Sequence, residues 1–292
     1  MSARRSSTIA SSGYPKERTL RSSWMCRCSS GTSRTTPEDA ARTPEPRYRF
    51  TSAASSWSTI IQTACAHDTT LVKKLEQLEQ ARAPDGTVMT LWRRDSDYSI
   101  RVHGVELMST RRHHSERKLA ELVCRPIQSV AGASVLIGGL GFGFTLTEAL
   151  RILPSDARVV VAELVPEVVA WNRNPDYQLA GASLEDARVE VRIDDVANVL
   201  RASAGRFDAI MLDVDNGADA LTTSGNARLY RTNGIQMTVA ALRPGGRLAY
   251  WSDRDDPEFE AMLRRAGVTV EVTRVFAHVT AGPLHTLYVA RA

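Results

Sequence analysis

Cysteine is scarce in this 292-residue chain: there are four, and no two form a CxxC pair. That excludes a disulfide scaffold and points to a reducing compartment, so a cytoplasmic location is expected. Cys26 and Cys28 lack the spacing and the partners of a zinc site. Long apolar runs are missing too. None approaches the roughly 18 residues of a membrane span, and no membrane association is expected. A charge excess is likewise absent from most of the chain. The formal charge is +4, but the first 70 residues alone hold 10 Lys and Arg against 5 Asp and Glu. The remainder is close to neutral, which removes the charge argument for nucleic acid.

Residues 1 to 70 also lack a sustained hydrophobic period. Ser, Thr, Arg and Ala dominate, interrupted by Pro37, Pro44 and Pro46. Such a composition cannot bury enough apolar surface to offset its ordering entropy. It has no apolar core of roughly 7–15 residues followed by a cleavage site, so a secretory signal is not expected. The expectation is a disordered leader, or translation from a start codon placed too far upstream.

What is present is concentrated in Ser134–Glu163. Val135, Leu136 and Ile137 form an apolar run without polar alternation, the mark of a strand buried on both faces. Gly138, Gly139, Gly141 and Gly143 follow, where a sharp turn and a close ligand both demand missing side chains. Thr145–Ile152 reads as a helix stopped by Pro154, and Arg158–Ala162 as a second strand ending on Glu163. Strand, glycine turn, helix, strand and acid make a nucleotide cradle: the helix start offers free N–H groups, and the carboxylate can take ribose hydroxyls. Gly139, Gly141 and Gly143 spell GxGxG, whereas the pyrophosphate-binding fingerprint is GxGxxG. The spacing therefore favours a nucleoside without phosphate, as in enzymes that use S-adenosylmethionine.

Around this cradle, the period of Leu71–Ala81 predicts a short helix, and Pro84-Asp85-Gly86 a turn. Thr87–Trp92 and Tyr98–Val105 alternate as strands, and Ser115–Cys124 reads as a helix with Ser115 as its cap. Past Glu163, strands at Arg188–Ile193, Phe207–Leu212 and Arg247–Trp251 alternate with helices at Pro166–Asn174, Val196–Ser203, Asn226–Leu242 and Pro257–Ala266. Alternation of this kind implies a parallel sheet. Val268–Phe276 and Leu284–Ala290 close the chain with no helix between them. The fold class is therefore α/β: a Rossmann-like class I methyltransferase fold. Its mostly parallel seven-stranded sheet has an antiparallel C-terminal strand and is preceded by a small β-hairpin element. Residues 71–125 form the hairpin and helix region, and 126–292 the nucleoside-binding domain.

In open α/β sheets, ligands gather beyond the carboxyl ends of the strands. The residues found there are Gly138 to Gly143, Glu163, Asp194, Asp195, and Asp213 through Asn216. Asp194 and Asp195 read equally well as caps of the next helix or as adenine contacts. His113 and His114 are adjacent, so they diverge on a helix and read as a surface pair; no metal is expected. His285, in the last strand, reads as structural.

From about Val88 to Arg291, and most specifically from Val135 to Trp251, the sequence resembles the spermidine/spermine synthases, aminopropyltransferases built on this fold. Glu163 in VAELVPEVV matches that family's ribose-gripping acid, and Asp195 in RIDDVANVL the acid beside adenine. Asp213 in FDAIMLDVDNGADAL matches its catalytic aspartate, and Tyr230 falls where a tyrosine follows the substrate loop. Arg101–Thr110 is similar to the entry hairpin. The departures are specific. The family's glycine turn carries an acid where Phe142 stands here. After Asp213 its Ser-x-Asp-Pro is replaced by Val214, Asp215, Asn216 and Gly217. The helix expected to carry a tyrosine with an acid reads His113-His114-Ser115-Glu116.

The resemblance implies transfer of an aminopropyl group from decarboxylated S-adenosylmethionine to a small-molecule amine. Asp213 would accept or steer away the amine's proton, and Asp215, Asn216 and Asp219 would face the acceptor. Two alternatives stay open: a methyltransferase using intact S-adenosylmethionine, and a non-catalytic nucleoside-binding protein. A homodimer is left open as the assembly.

Overall fold

The computed structural model describes residues 74–214 and 226–292. The leader, together with Asp215, Asn216 and Asp219, lies outside the described residues.

Two sheets organise the chain. The first is a four-stranded antiparallel meander: β1 (Glu76–Arg82), β2 (Val88–Arg94), β3 (Asp97–Val102) and β4 (Val105–Ser109). The first of these strands replaces the expected helix over Leu71–Ala81. The reason is a bulge: Gln77 pairs with Trp92 and Glu79 with Leu91, leaving Leu78 as an extra residue. An inserted residue breaks the period of two, so Leu78 and Ala81, three apart, both reach the core. That spacing imitates a helix. The expected strand Tyr98–Val105 is also divided. His103 and Gly104, both with positive φ, make a two-residue turn between β3 and β4, as hairpin twist favours.

A helix, α1 (His114–Cys124), leads to the second sheet. There β5 (Ser134–Gly138), α2 (Phe144–Ile152) and β6 (Arg158–Glu163) build the cradle. They are followed by α3 (Pro166–Arg173), the short α4 (Gly181–Leu184), β7 (Val189–Ile193) and α5 (Val196–Arg201). The chain ends with β8 (Phe207–Leu212), α6 (Thr232–Ala241), β9 (Leu242–Ser252), α7 (Pro257–Arg265), β10 (Thr269–Phe276) and β11 (Leu284–Arg291). The strand order is β10-β11-β9-β8-β5-β6-β7. Strands β9, β8, β5, β6 and β7 pair in parallel, while β11 runs antiparallel to both β9 and β10. This is the expected seven-stranded class I methyltransferase-like sheet. The expected helix Asn226–Leu242 is broken: a 3₁₀ turn at Asn226–Tyr230 precedes α6, with Arg231 extended between them.

The two faces of the sheet share out the residues of each central strand alternately. Val135, Ile137, Val159, Val161 and Met211 pack with α1, α2, α3 and the apolar side of the small sheet. Leu136, Val160, Ile210, Leu212 and Tyr250 pack with α5, α6 and α7. Because both faces are covered, neither strand face needs polar residues, and the runs read as uniformly apolar. The tips are then the sheet's wettest parts, and polar chemistry collects there. Leu136 is fully buried in the central strand. Leu136→Ala is expected to cost about 2–5 kcal/mol, measured by denaturant unfolding, with little change in the m-value.

Candidate functional site

The cleft begins where β5 ends. Gly139 N–H donates to the Ala162 carbonyl (2.9 Å), and Asp213 N–H donates to the Gly138 carbonyl (2.9 Å). The glycine bend is thus pinned to the tips of both flanking strands. Gly139 has φ +88°, and a Cβ there would collide with the Asp213 carbonyl oxygen. Gly141, at φ +53°, faces the Met108 thioether. Asn172, buried on α3, completes the clamp: its amide donates to the Gly141 carbonyl (2.7 Å) and its oxygen accepts from Ala180 N–H (3.3 Å).

Glu163 ends β6 with its carboxylate turned back on the bend. Oε2 accepts from Leu140 N–H (2.8 Å) and Oε1 from Val165 N–H (2.9 Å). Burial pushes this carboxyl up, and the backbone donors oppose the shift. Asp194 accepts from Asp195 N–H (2.7 Å) and the Asn198 amide (2.8 Å). Asp195 caps α5 by accepting from Ala197 N–H (2.8 Å), and its other oxygen pairs with Arg228. Both aspartates line the cleft, and Asp195 alone also caps α5.

Asp213 follows β8 directly and accepts from the Thr145 hydroxyl (2.9 Å) at the start of α2. Across the cleft stands Glu116, in the first turn of α1, accepting from the Ser115 hydroxyl (2.6 Å). Burial raises both carboxyls, and the charge of Asp213 raises Glu116 further. Glu116 was not singled out from the sequence; the only signal was the acid in HHSE, 97 positions before Asp213. Ser115 does not cap α1, which His113 precedes without a side-chain cap.

These groups face one cleft of about 900 Å³, its solvent mouth included. Gly139, Gly141, Glu163, Asp194, Asp195, Asp213 and Glu116 line it, and Met89, Ile100, Leu107 and Met108 of the small sheet form an apolar wall. No described lining residue is Lys or Arg. Gly138 and Gly143 shape the bend without lining the cleft: side chains there would meet Leu212 and Val196, and Ala180. Tyr230, expected near the acceptor, is buried instead, because the 3₁₀ turn directs it inward. Its hydroxyl donates to the Trp251 carbonyl (2.9 Å), and its ring packs on Tyr250 and Phe259. His113 stacks on Phe144 (4.4 Å). Among the described residues no group of three His, Cys, Asp or Glu could hold a metal, and no helix is long and apolar enough to cross a membrane.

A parallel sheet in this order, with a glycine bend and acids at successive strand tips, defines the class I methyltransferase-like fold. No protein-family model matches the chain. In sequence it is similar to the polyamine aminopropyltransferase of Mycobacterium tuberculosis (strain CDC 1551 / Oshkosh), 32% identical over 157 residues, which are 53% of this chain and 28% of that protein. The polyamine aminopropyltransferase of Corynebacterium efficiens is 31% identical over 176 residues, 59% of this chain and 32% of that one. The chain thus matches only about a third of the length of these relatives. Among solved structures, a spermidine synthase in complex with the transition state analogue AdoDATO superposes with TM-score 0.56 at 17% identity, covering 74% of this chain and 72% of that one. The spermidine synthase from Thermotoga maritima gives TM-score 0.56 at 19% identity, with the same coverage. The chain shares their fold.

The raised carboxyls make stability depend on pH. Glu116 and Asp213 hold protons more tightly folded than unfolded, so stability falls as pH climbs from the ordinary carboxylate range through their raised values. Glu116→Gln should therefore raise the thermal midpoint relative to the parent more at about pH 8 than at about pH 4, read by calorimetry. A larger gain at the acid end would contradict the assignment.

Proposed function

We propose that the chain transfers an aminopropyl group from decarboxylated S-adenosylmethionine to a small amine. The observation that carries this reading is the sign of the cleft: five carboxyl groups line it and no described Lys or Arg does. Such a site favours a sulfonium beside an ammonium and offers no cation for the carboxylate of intact S-adenosylmethionine. The likeness to polyamine aminopropyltransferases supports the same chemistry.

In the reaction, the amine nitrogen forms a bond to the propyl carbon next to sulfur. The carbon–sulfur bond breaks, and its electron pair stays on the leaving thioether. The leaving group is good, so the protein's work is alignment and proton handling. An amine near a pKa of about 10.4 arrives protonated and must lose one proton before it can attack. Asp213 and Glu116 take that proton: burial raises both carboxyls and the charge of Asp213 raises Glu116 further, so the pair is ready to hold one more. Glu163, Asp194 and Asp195 would hold the adenosine, with the bend's backbone close beneath it. Asp215 and Asn216 would meet the acceptor.

Calorimetric titration with intact S-adenosylmethionine, its decarboxylated form and methylthioadenosine tests the donor. The decarboxylated form should bind at least about tenfold tighter than the intact one, the scale of one unfavourable charge contact. Tighter binding of the intact donor would turn the reading to methyl transfer. Asp213→Asn should lower transfer to amine by about 100-fold or more while methylthioadenosine still binds. Undiminished transfer would remove Asp213 from proton handling, and binding without transfer to any amine by the parent protein would leave a nucleoside-binding protein.

A further inference from the structure

Beside Glu116 lies a hydrogen-bonded group that proton acceptance by Asp213 does not involve. Ser115 is fully buried, and its hydroxyl has three partners. It lies 2.6 Å from Glu116 Oε2, 2.9 Å from His285 Nδ1 and 3.2 Å from Trp251 Nε1. These residues come from α1, β11 and β9, and the rings of Trp251 and His285 meet edge to face at 4.6 Å.

A hydroxyl has one proton and two lone pairs. The Trp251 indole can only donate, so it fills one lone pair. Two arrangements remain. In the first, His285 Nδ1–H fills the second lone pair, and the Ser115 proton can go only to Glu116 Oε2, which then accepts and carries no proton. In the second, Glu116 protonated at Oε2 donates to Ser115, and Ser115 donates to a bare His285 Nδ1. The proton on Glu116 Oε2 and the tautomer of His285 are therefore tied through a single oxygen.

We propose that Ser115 and His285 are positioning residues that hold Glu116 in its ionised form, ready to receive a proton, by presenting two N–H donors to the Ser115 oxygen. The functional meaning rests on the aminopropyl-transfer reading; the hydrogen-bond arrangement does not. Burial and the charge of Arg112 push the His285 imidazole down to about 4, so near neutral pH the ring carries one N–H and no charge. The other charged groups around this network are accounted for. Asp213 faces Glu116 from the tip of β8 and Arg112 from the turn before α1. Glu148 of α2 is committed to Arg117 and Arg151, and Arg274 of β10 to Asp255. Burial and Asp213 oppose ionisation of Glu116, and the Ser115 donor, the Glu116 backbone N–H and the charge of Arg112 work against them.

The test uses the ligand-free full chain, so its outcome is independent of whether any amine is a substrate. Long-range ¹H–¹⁵N spectra of the parent protein near neutral pH should show His285 protonated at Nδ1; protonation at Nε2 overturns the proposal. Carboxyl ¹³C titrations, with the Glu116 signal identified through Glu116→Gln, should show its protonation constant rising about tenfold in Ser115→Ala and His285→Leu, the scale of one hydrogen bond to a charged group. His285→Asn keeps an N–H at the Nδ1 position and should stay close to the parent. A parent-like titration in His285→Leu, or an equal rise in His285→Asn and His285→Leu, overturns it as well. Should the variants fail to fold, the tautomer in the parent protein still decides.

Discussion

The molecule depends on one close approach, that of the backbone at Gly139 to the backbone at Asp213. Two parallel strands end side by side, Gly138 accepts the Asp213 amide, and only a residue without a side chain can follow. Everything in the cleft is referenced to that contact. It brings the acid at the tip of β8 onto the glycine bend, and the bend is held from its other side by Glu163 and Asn172. A bend without side chains has little packing of its own, so buried side-chain oxygens and amides must fix its shape. Glu163 therefore has a structural duty before any ligand arrives. Its two oxygens accept from Leu140 and Val165, and the Leu164 and Gly141 N–H groups bear on them as well.

The central sheet was legible because its strands are covered on both faces, and burial on both faces writes an unbroken apolar run. Val135 to Ile137 and Phe207 to Leu212 could hardly be read otherwise. The acids at the tips were legible for the same reason: they stop those runs. The first strand was not legible, because a single inserted residue at Leu78 gives apolar positions a helical spacing. A bulge is a property of two strands, and one strand's sequence carries no record of its partner. The burial of Tyr230 was not legible either. Its place in the sequence suggested a cleft residue, while its direction is set by a 3₁₀ turn that buries it.

Half of the proposed proton-handling pair was hidden altogether. Asp213 announces itself at a strand tip, but Glu116 sits in a helix where an acid is ordinary. Ser115 and His285 are separated by 170 positions and meet only because α1 packs against β9 and β11. Periodicity reports which face of an element is apolar. It does not report which polar residue on that face finds a partner across the core. Buried polar side chains in a mostly apolar layer are costly unless paired, so such groups are found by counting donors and acceptors once the packing is known.

The charge of the cleft also explains how the site works without an acid on its glycine turn. Phe142, where the resembling family carries that acid, is buried near Phe144 and contributes no charge to the wall. Negative charge comes from elsewhere: Glu116 from α1, Asp213 from β8, and Glu163, Asp194 and Asp195 from the next tips. Meanwhile Met108 of the small sheet closes on Gly141, so the turn meets its surroundings through backbone and apolar contact. In the proposed reaction a cation would lie between Glu116 and Asp213, whose carboxyls are both raised by burial, that of Glu116 further by the charge of Asp213. Less acidic carboxyls are better matched to accepting a proton near neutral pH. In the proposed reading these two carboxyls thus set both where a cation would rest and how readily its proton would be taken.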